Sequence, residues 1–111
     1  DKSIILNNEK LFTMVHPVST YFSCYQSGVI GVDEAVKRGF CQSLNESNKV
    51  LSILTLAEMA GMSTGIVTTT RVTHATPACL YAHSPERGWE SDRDLRRKAK
   101  DDASTCTDIG L

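Results

Sequence analysis

Residues 64–92 read TGIVTTTRVTHATPACLYAHSPERGWESD, and the fold turns on how this stretch is parsed. Gly65 to Thr70 is short, β-branched and apolar at its start. That is the composition of a central strand in a parallel sheet, covered on both faces. A polar stretch follows, and then Thr76-Pro77 reads as a helix start. Threonine caps well, and proline at the first helical position gives up no needed hydrogen bond. Ala78 to His83 makes a helix of about two turns, stopped by Ser84-Pro85. Such a unit sets a hydroxyl (Thr76), an imidazole (His74) and a guanidinium (Arg87) near the carboxyl end of a strand. In α/β sheets ligands bind at that edge.

Upstream, Ser47 is the expected N-cap of a helix whose apolar positions are Val50, Ile53, Leu54, Ala57 and Ala60. Leu51, Leu56 and Met59 widen the stripe, so the helix is expected to be more than half buried. Gly61 follows the last periodic residue and suits a left-handed C-terminal position. Helix, short loop and buried strand together make half of a doubly wound α/β sheet. Residues 1–29 are harder to parse. IILNNEKLFTMV suits a strand, an Asn-Asn turn and a second strand, but the region as a whole takes no firm assignment. Downstream, Asp92 to Asp102 is intensely charged, with only Leu95 and Ala99 apolar. It reads as a solvated loop or exposed helix without a function. Cys106-Thr107-Asp108-Ile109 looks like the cap of another helix at which the chain stops, as a truncated piece would.

Composition narrows the class. The chain has 111 residues, enough for one domain at most or a piece of a larger one. Its 41% hydrophobic and 23% charged content is that of a folded protein. A formal net charge of -1 gives no field that would draw in nucleic acid or anionic membrane, so any anion must be held by local groups. No apolar run approaches the roughly 18–20 residues that span a bilayer. The first residue is Asp1, and DKSIILNNEKLF lacks the basic-then-apolar order of a signal peptide. A processed product or a fragment is expected. The four cysteines, Cys24, Cys41, Cys79 and Cys106, contain no C-x-x-C pair. A zinc module or thioredoxin-like site is therefore not indicated, and all three full pairings stay open. Asn45-Glu46-Ser47 is an N-glycosylation sequon. With Cys41 and Cys106 on polar, loop-like segments, it leans toward an oxidising, secretory location.

Each candidate residue also has an ordinary role. Thr76 could simply cap a helix, although a hydroxyl at a strand end is also a hard ligand suited to Mg²⁺. His74 could be a hydrogen-bonded loop imidazole, or could orient water beside a metal. Arg87 could be a surface residue near Glu86 or Glu90, or a planar fork clamping phosphate. Trp89 is expected to pack the loop. His16 and His83 have no partner spacing that suggests a metal site.

Taken together, the words VTTTR, THATPA, YAH and R-x-W-x-S-D in residues 64–92 resemble the alkaline phosphatases of animals. Weaker similarity runs through IGVDEAVKRGFC, the helix after Asn45, and CTDIG. It covers residues 30–111 and leaves 1–29 unmatched. The resemblance implies a portion of a large, mostly parallel, doubly wound α/β sheet. The implied chemistry is hydrolysis of phosphate monoesters through a phosphorylated serine, with two zinc ions and one magnesium ion. By motif, Thr76 falls on a magnesium ligand, His74 on the position reaching that ion through water, and Arg87 on the phosphate clamp. Cys41 and Cys106 fall on a disulfide pair, and Asn45 lies near a glycan site. A homodimer is implied, secreted or at the cell surface and membrane-anchored in many members, with no nucleic-acid partner. The family's nucleophile belongs to an Asp-Ser-Ala word followed by a TATA-like stretch. Here HPVSTYFSCYQSGV stands in that place, and none of its serines follows an aspartate. Cys79 replaces a usual Ala or Gly and is expected to be a small buried residue. The expectation is thus a phosphatase fragment lacking its nucleophile and inactive alone. The alternative is a non-catalytic secreted module that binds phosphate or a partner through Arg87. A third reading is that the chain does not fold alone, because a lone strand between helices leaves both sheet edges unpaired.

Overall fold

The computed structural model describes residues 28–110 in full and the backbone of residues 2–6, 11–15 and 25–26. His16, Cys24 and the Asn7-Asn8 turn lie outside the described residues. The elements in chain order are β1 (Lys2–Leu6), β2 (Leu11–Val15), β3 (Tyr25–Gln26), β4 (Val29–Ile30), α1 (Ile53–Met59), β5 (Ile66–Thr68), α2 (Ala75–Ala78) and α3 (Asp92–Lys98). Short 3₁₀ turns occupy Cys41–Ser43, Glu46–Asn48 and Ala103–Thr105.

β1 and β2 pair antiparallel with Lys2 opposite Val15 and Leu6 opposite Leu11, the two strands that IILNNEKLFTMV suits although the region takes no firm assignment from sequence. β5 joins the other side of β1, also antiparallel, so the sheet order is β2-β1-β5. A parallel, doubly covered strand was expected at Gly65–Thr70; in this chain the strand pairs antiparallel with β1. The strand is three residues long, lies at the edge of the sheet, and leaves Val67 53% exposed. Short β-branched runs look alike in parallel and antiparallel sheets, so composition could not decide between them. The strand stops where hydroxyls take over. Thr68 Oγ1 and Thr70 Oγ1 lie 3.0 Å apart, and Thr70 N–H donates to Thr68 Oγ1.

The centre of the molecule is the segment 29–33. Ile30 exchanges two backbone hydrogen bonds with Ser84, each 2.9 Å. On its other side, Val50 N–H donates to Gly31 O and Asp33 N–H to Asn48 O. Gly31 has φ +60, and an added Cβ would run into the Ala82 carbonyl. Only glycine fits there without strain. Ile30 packs with Ala75, Ala78, Cys79 and Ile109. Val29, Val32 and Val36 form a second cluster. A third joins Cys41, Trp89 and Leu95, with Cys106 packed against it.

That central ladder also displaces the expected helix start. Asn45, not Ser47, does the first capping: its Oδ1 accepts the Ser47 N–H at the head of the Glu46–Asn48 turn. Lys49 is then held in a bridge to Val32. The helix begins only after Ser52, whose Oγ accepts the Thr55 N–H and donates to Leu80 O. Tertiary pairing has overridden local helix preference. The expectation of a more than half-buried helix is also corrected. No residue of α1 is buried, and Leu51, Ile53, Leu56 and Met59 are exposed. The C-terminus follows expectation. Gly61 has φ +79, its N–H donates to Glu58 O, and Met62 N–H donates to Ala57 O. These two bonds form a Schellman motif.

Within the charged stretch 92–102, Asp92–Lys98 forms α3, with one buried residue, Leu95, and Ser91 as its cap. The stretch does more than solvate a surface. Asp101 accepts the N–H groups of Cys41 and Gln42 at 2.7 and 2.8 Å, and Lys100 N–H donates to Gly39 O. Cys41 and Cys106 are joined as a disulfide across 65 positions, with Cα atoms 5.5 Å apart.

Candidate functional site

The segment carrying His74 and Thr76 leaves β5 through a turn closed by His74 N–H donating to Arg71 O at 3.0 Å. Its outer edge is tied down by Tyr81, whose hydroxyl donates to Val72 O at 2.6 Å. Burial pushes the Tyr81 hydroxyl pKa up, and the nearby carboxylates of Glu90 and Asp108 add to this. The helix cap is His74 and not Thr76, a correction to the expected start. The Nδ1 atom of His74 accepts the Thr76 N–H at 3.3 Å, and α2 begins at Ala75. Pro77 is therefore the third helical residue. It is tolerated there because the first-turn N–H groups have no partner inside the helix. The four residues of α2 continue as tight turns to Ala82, whose N–H donates to Ala78 O. The two-turn helix expected over Ala78–His83 is thus replaced by one helical turn, Ala75–Ala78, and the turns that follow it.

This cap fixes the chemistry available to the imidazole. With Nδ1 accepting, a neutral ring carries its proton on Nε2. Such a ring can donate to a water but cannot coordinate a metal directly through Nε2. Thr76 is half-buried and places its hydroxyl two residues past the cap. Among the described residues, no group of three or more His, Cys, Asp or Glu could hold a metal ion. A hydroxyl and a water-linked imidazole can contribute to a metal site, but they cannot complete one.

Arg87 lies on the loop after Ser84-Pro85. Its N–H donates to Gly28 O at 2.8 Å, which holds the loop against the central segment. The two carboxylates expected near it are engaged by other arginines. Glu86 takes Arg38 Nε at 2.7 Å, with an N–H from Gly88. Burial alone would raise the Glu86 pKa, but these donors outweigh it and the net shift is downward. Glu90 takes Arg71 in a two-point grip, 2.8 Å at each oxygen, and the Thr73 hydroxyl at 2.9 Å. Arg71 and then Thr73 hold its pKa at about 2 against the opposing effect of burial. Sequence reasoning missed this network, because its members are 17 and 19 positions apart and no local spacing links them. Trp89 between the two carboxylates is fully buried against the disulfide, the packing role expected of it. Cys79 is buried beside Ile30, as expected of a small interior residue. Asn45 is exposed, with its side-chain oxygen turned to Ser47.

A family model described as alkaline phosphatase matches residues 18–110. The chain belongs to the alkaline phosphatase family. The match reaches back over residues 18–29, which the sequence words alone did not include. The human tissue-nonspecific isozyme of alkaline phosphatase is 48% identical over 82 residues, 74% of this chain and 15% of the relative. An alkaline phosphatase of Gadus morhua is 45% identical over the same length, 17% of that protein. The tissue-nonspecific isozyme of Gallus gallus is also 45% identical over 82 residues. The chain thus spans about a sixth of the length of these relatives. Membership of the alkaline phosphatase family implies the α/β fold and phosphatase chemistry at the level of the family. Among the described residues, no helix is long and apolar enough to cross a membrane.

Proposed function

We propose that this chain is the magnesium-side and phosphate-clamp portion of an alkaline phosphatase. The whole enzyme would hydrolyse phosphate monoesters through a phosphoserine, as a homodimer that is secreted or attached to the cell surface. In it β5 would lie within a mostly parallel, doubly wound sheet. The observation that carries the proposal is the 48% identity to a tissue-nonspecific isozyme over 82 residues, a stretch long enough to take in the His74–Thr76 turn and the Arg87 loop. Thr76 would offer its hydroxyl oxygen to Mg²⁺, a hard cation that prefers oxygen. His74 would donate from Nε2 to a water of that ion, the role its cap hydrogen bond leaves open. Arg87 would hold the phosphate oxygens through its planar fork and offset the charge that builds up during transfer. Two zinc ions, when bound in such enzymes, supply an activated nucleophile and a stabilised leaving group. Their ligands and the nucleophile would come from sequence outside the matched words. The 111-residue chain is accordingly expected to be inactive. Asn45, exposed and in a sequon, would carry a glycan, consistent with the secretory location that the disulfide favours.

A graft tests this directly. Residues 30–110 would replace the matching stretch of the human tissue-nonspecific isozyme, and hydrolysis of p-nitrophenyl phosphate would be followed with zinc and magnesium present. The chimera should turn over, Arg87→Ala in it should lower kcat/KM by roughly a hundredfold or more, and the isolated chain should show no activity. A well-folded chimera without activity, or metal-dependent turnover by the isolated chain, would contradict the proposal.

A further inference from the structure

The Glu90 carboxylate is held by one short stretch of chain. Arg71 donates from Nε to Oε2 and from its terminal nitrogen to Oε1, both at 2.8 Å. Thr73 adds its hydroxyl to Oε2 at 2.9 Å. A two-point arginine grip fixes the plane of a carboxylate as well as its position. The third donor, from two residues along, fixes which face of the turn meets it. The contact joins unlike partners. On one side is the exposed connection 69–73, where Arg71 and Val72 both face solvent. On the other is a buried, cross-linked wall. Trp89 is fully buried against the Cys41–Cys106 disulfide, and its carbonyl accepts the Ile109 N–H at 3.0 Å.

Sequence distance makes the arrangement more pointed. Arg71 precedes His74 by three residues and Thr73 is its neighbour, while Glu90 follows Arg87 by three. The contact therefore lies three residues in sequence from each of the two site groups, His74 on the proposed magnesium side and Arg87 on the proposed phosphate clamp. The Tyr81 hydroxyl ties the same turn to the end of the α2 path through Val72 O, and the Glu90 contact ties it to the Arg87 loop. We infer that Glu90 is a positioning residue, setting where the His74–Thr76 turn sits relative to Arg87. This rests on the assignment of those residues to the magnesium side and the phosphate clamp. Glu90 itself has both carboxylate oxygens engaged by Arg71 and Thr73. Its acidity fits that role. With its pKa held at about 2, the carboxylate stays charged across the physiological range and the grip does not loosen with modest acidification.

Native-state hydrogen exchange on the full 111-residue chain tests this, because exchange reads local placement with no metal or substrate present. Its outcome is therefore independent of whether the phosphatase assignment stands. The reporters are the His74 N–H, bonded to Arg71 O, and the Arg87 N–H, bonded to Gly28 O. The references are the Ile30 and Ser84 N–H groups of the central ladder and Ala99 at the end of α3. Glu90→Gln should speed exchange at His74 and Arg87 by roughly five- to tenfold, the size expected from losing a well-aligned ion pair, and leave the references unchanged. The swap Arg71→Glu with Glu90→Arg should restore protection. Arg71→Lys keeps the charge but loses the fork, so it should open the same two reporters by a smaller factor. It also provides the test if Glu90→Gln does not fold. Unchanged reporters in the soluble variant, or equal acceleration at reporters and references, would overturn the inference. Failure of the swap to restore protection would do the same.

Discussion

Reducing the Cys41–Cys106 disulfide should be the most damaging single chemical change to this fold. The bond spans 65 positions, and on chain-entropy grounds closing a loop of that size stabilises by about 4 kcal/mol. Against a whole-domain stability of roughly 5–15 kcal/mol, that is a large share. The enclosed ring contains β5, α2, the Arg87 loop and α3, so freeing it gives most of the described chain its full unfolded entropy. Both ends are also packed: Cys41 is 1% exposed and shares its cluster with Trp89 and Leu95. The assay is urea unfolding followed by the fluorescence of Trp89, the sole tryptophan, with and without a thiol reductant. A Cys41→Ser, Cys106→Ser variant serves as a control that no reductant affects. The reduced protein and the variant should lose about 4 kcal/mol, equivalent to a fall in melting temperature of roughly 15–30 °C for a domain of this size. A loss under about 1 kcal/mol in both would refute the reasoning. So would peptide mapping that found Cys41 linked elsewhere.

Acid should destabilise the fold in a defined window. Glu90 has a pKa depressed from 4.5 to about 2, so its contribution is present above pH 4.5 and is lost as pH falls toward 2. Solvent screening of a partly exposed pair brings that contribution to about 1 kcal/mol. Chemical unfolding at a series of pH values should show this decline, and Glu90→Gln should remove part of the slope; an identical slope in the variant would count against it. Two glycines should separate conformational cost from steric cost. Gly61→Ala meets open space at φ +79 and should cost about 1 kcal/mol. Gly31→Ala adds a collision with the Ala82 carbonyl at φ +60 and should cost several times more, roughly 3 kcal/mol. Equal melting temperatures for the two variants would show that the central ladder yields more easily than its geometry implies.

What could be read from the sequence followed the range of the interactions. The Schellman end at Gly61, the packing of Trp89 and the burial of Cys79 are local or compositional facts, and they were legible. The start of α1 was not, because Lys49 is held by Val32 and Ser52 by the Leu80 carbonyl. Those partners lie 17 and 28 positions away, and local preference for a helix from Ser47 gave way to them. The direction of β5 was hidden for a different reason. Three β-branched and hydroxyl residues fit either kind of sheet, and the partner strand lies in the stretch that no motif marked. In the candidate site, the residue types at 74, 76 and 87 were visible as words. The cap on His74 and the Glu90 grip were invisible, since they depend on how the turn folds back on the loop. Asp101 belongs with these, read as one charge among many and found tying Cys41 into place.

The pairing of Ile30 with Ser84 also carries a consequence in time. Its two partners are 54 positions apart, with two backbone bonds of 2.9 Å between them. At a synthesis rate of roughly 5–20 residues per second, Ser84 leaves the ribosome about 3–10 s after Ile30. For that interval a side chain that ends 0% exposed has no strand to pair with on that side. Non-local pairing of this kind slows folding by comparison with helical proteins of the same size. The apolar side chain of Ile30 thus stays uncovered during those seconds, and its last packing partner, Ile109, emerges later still.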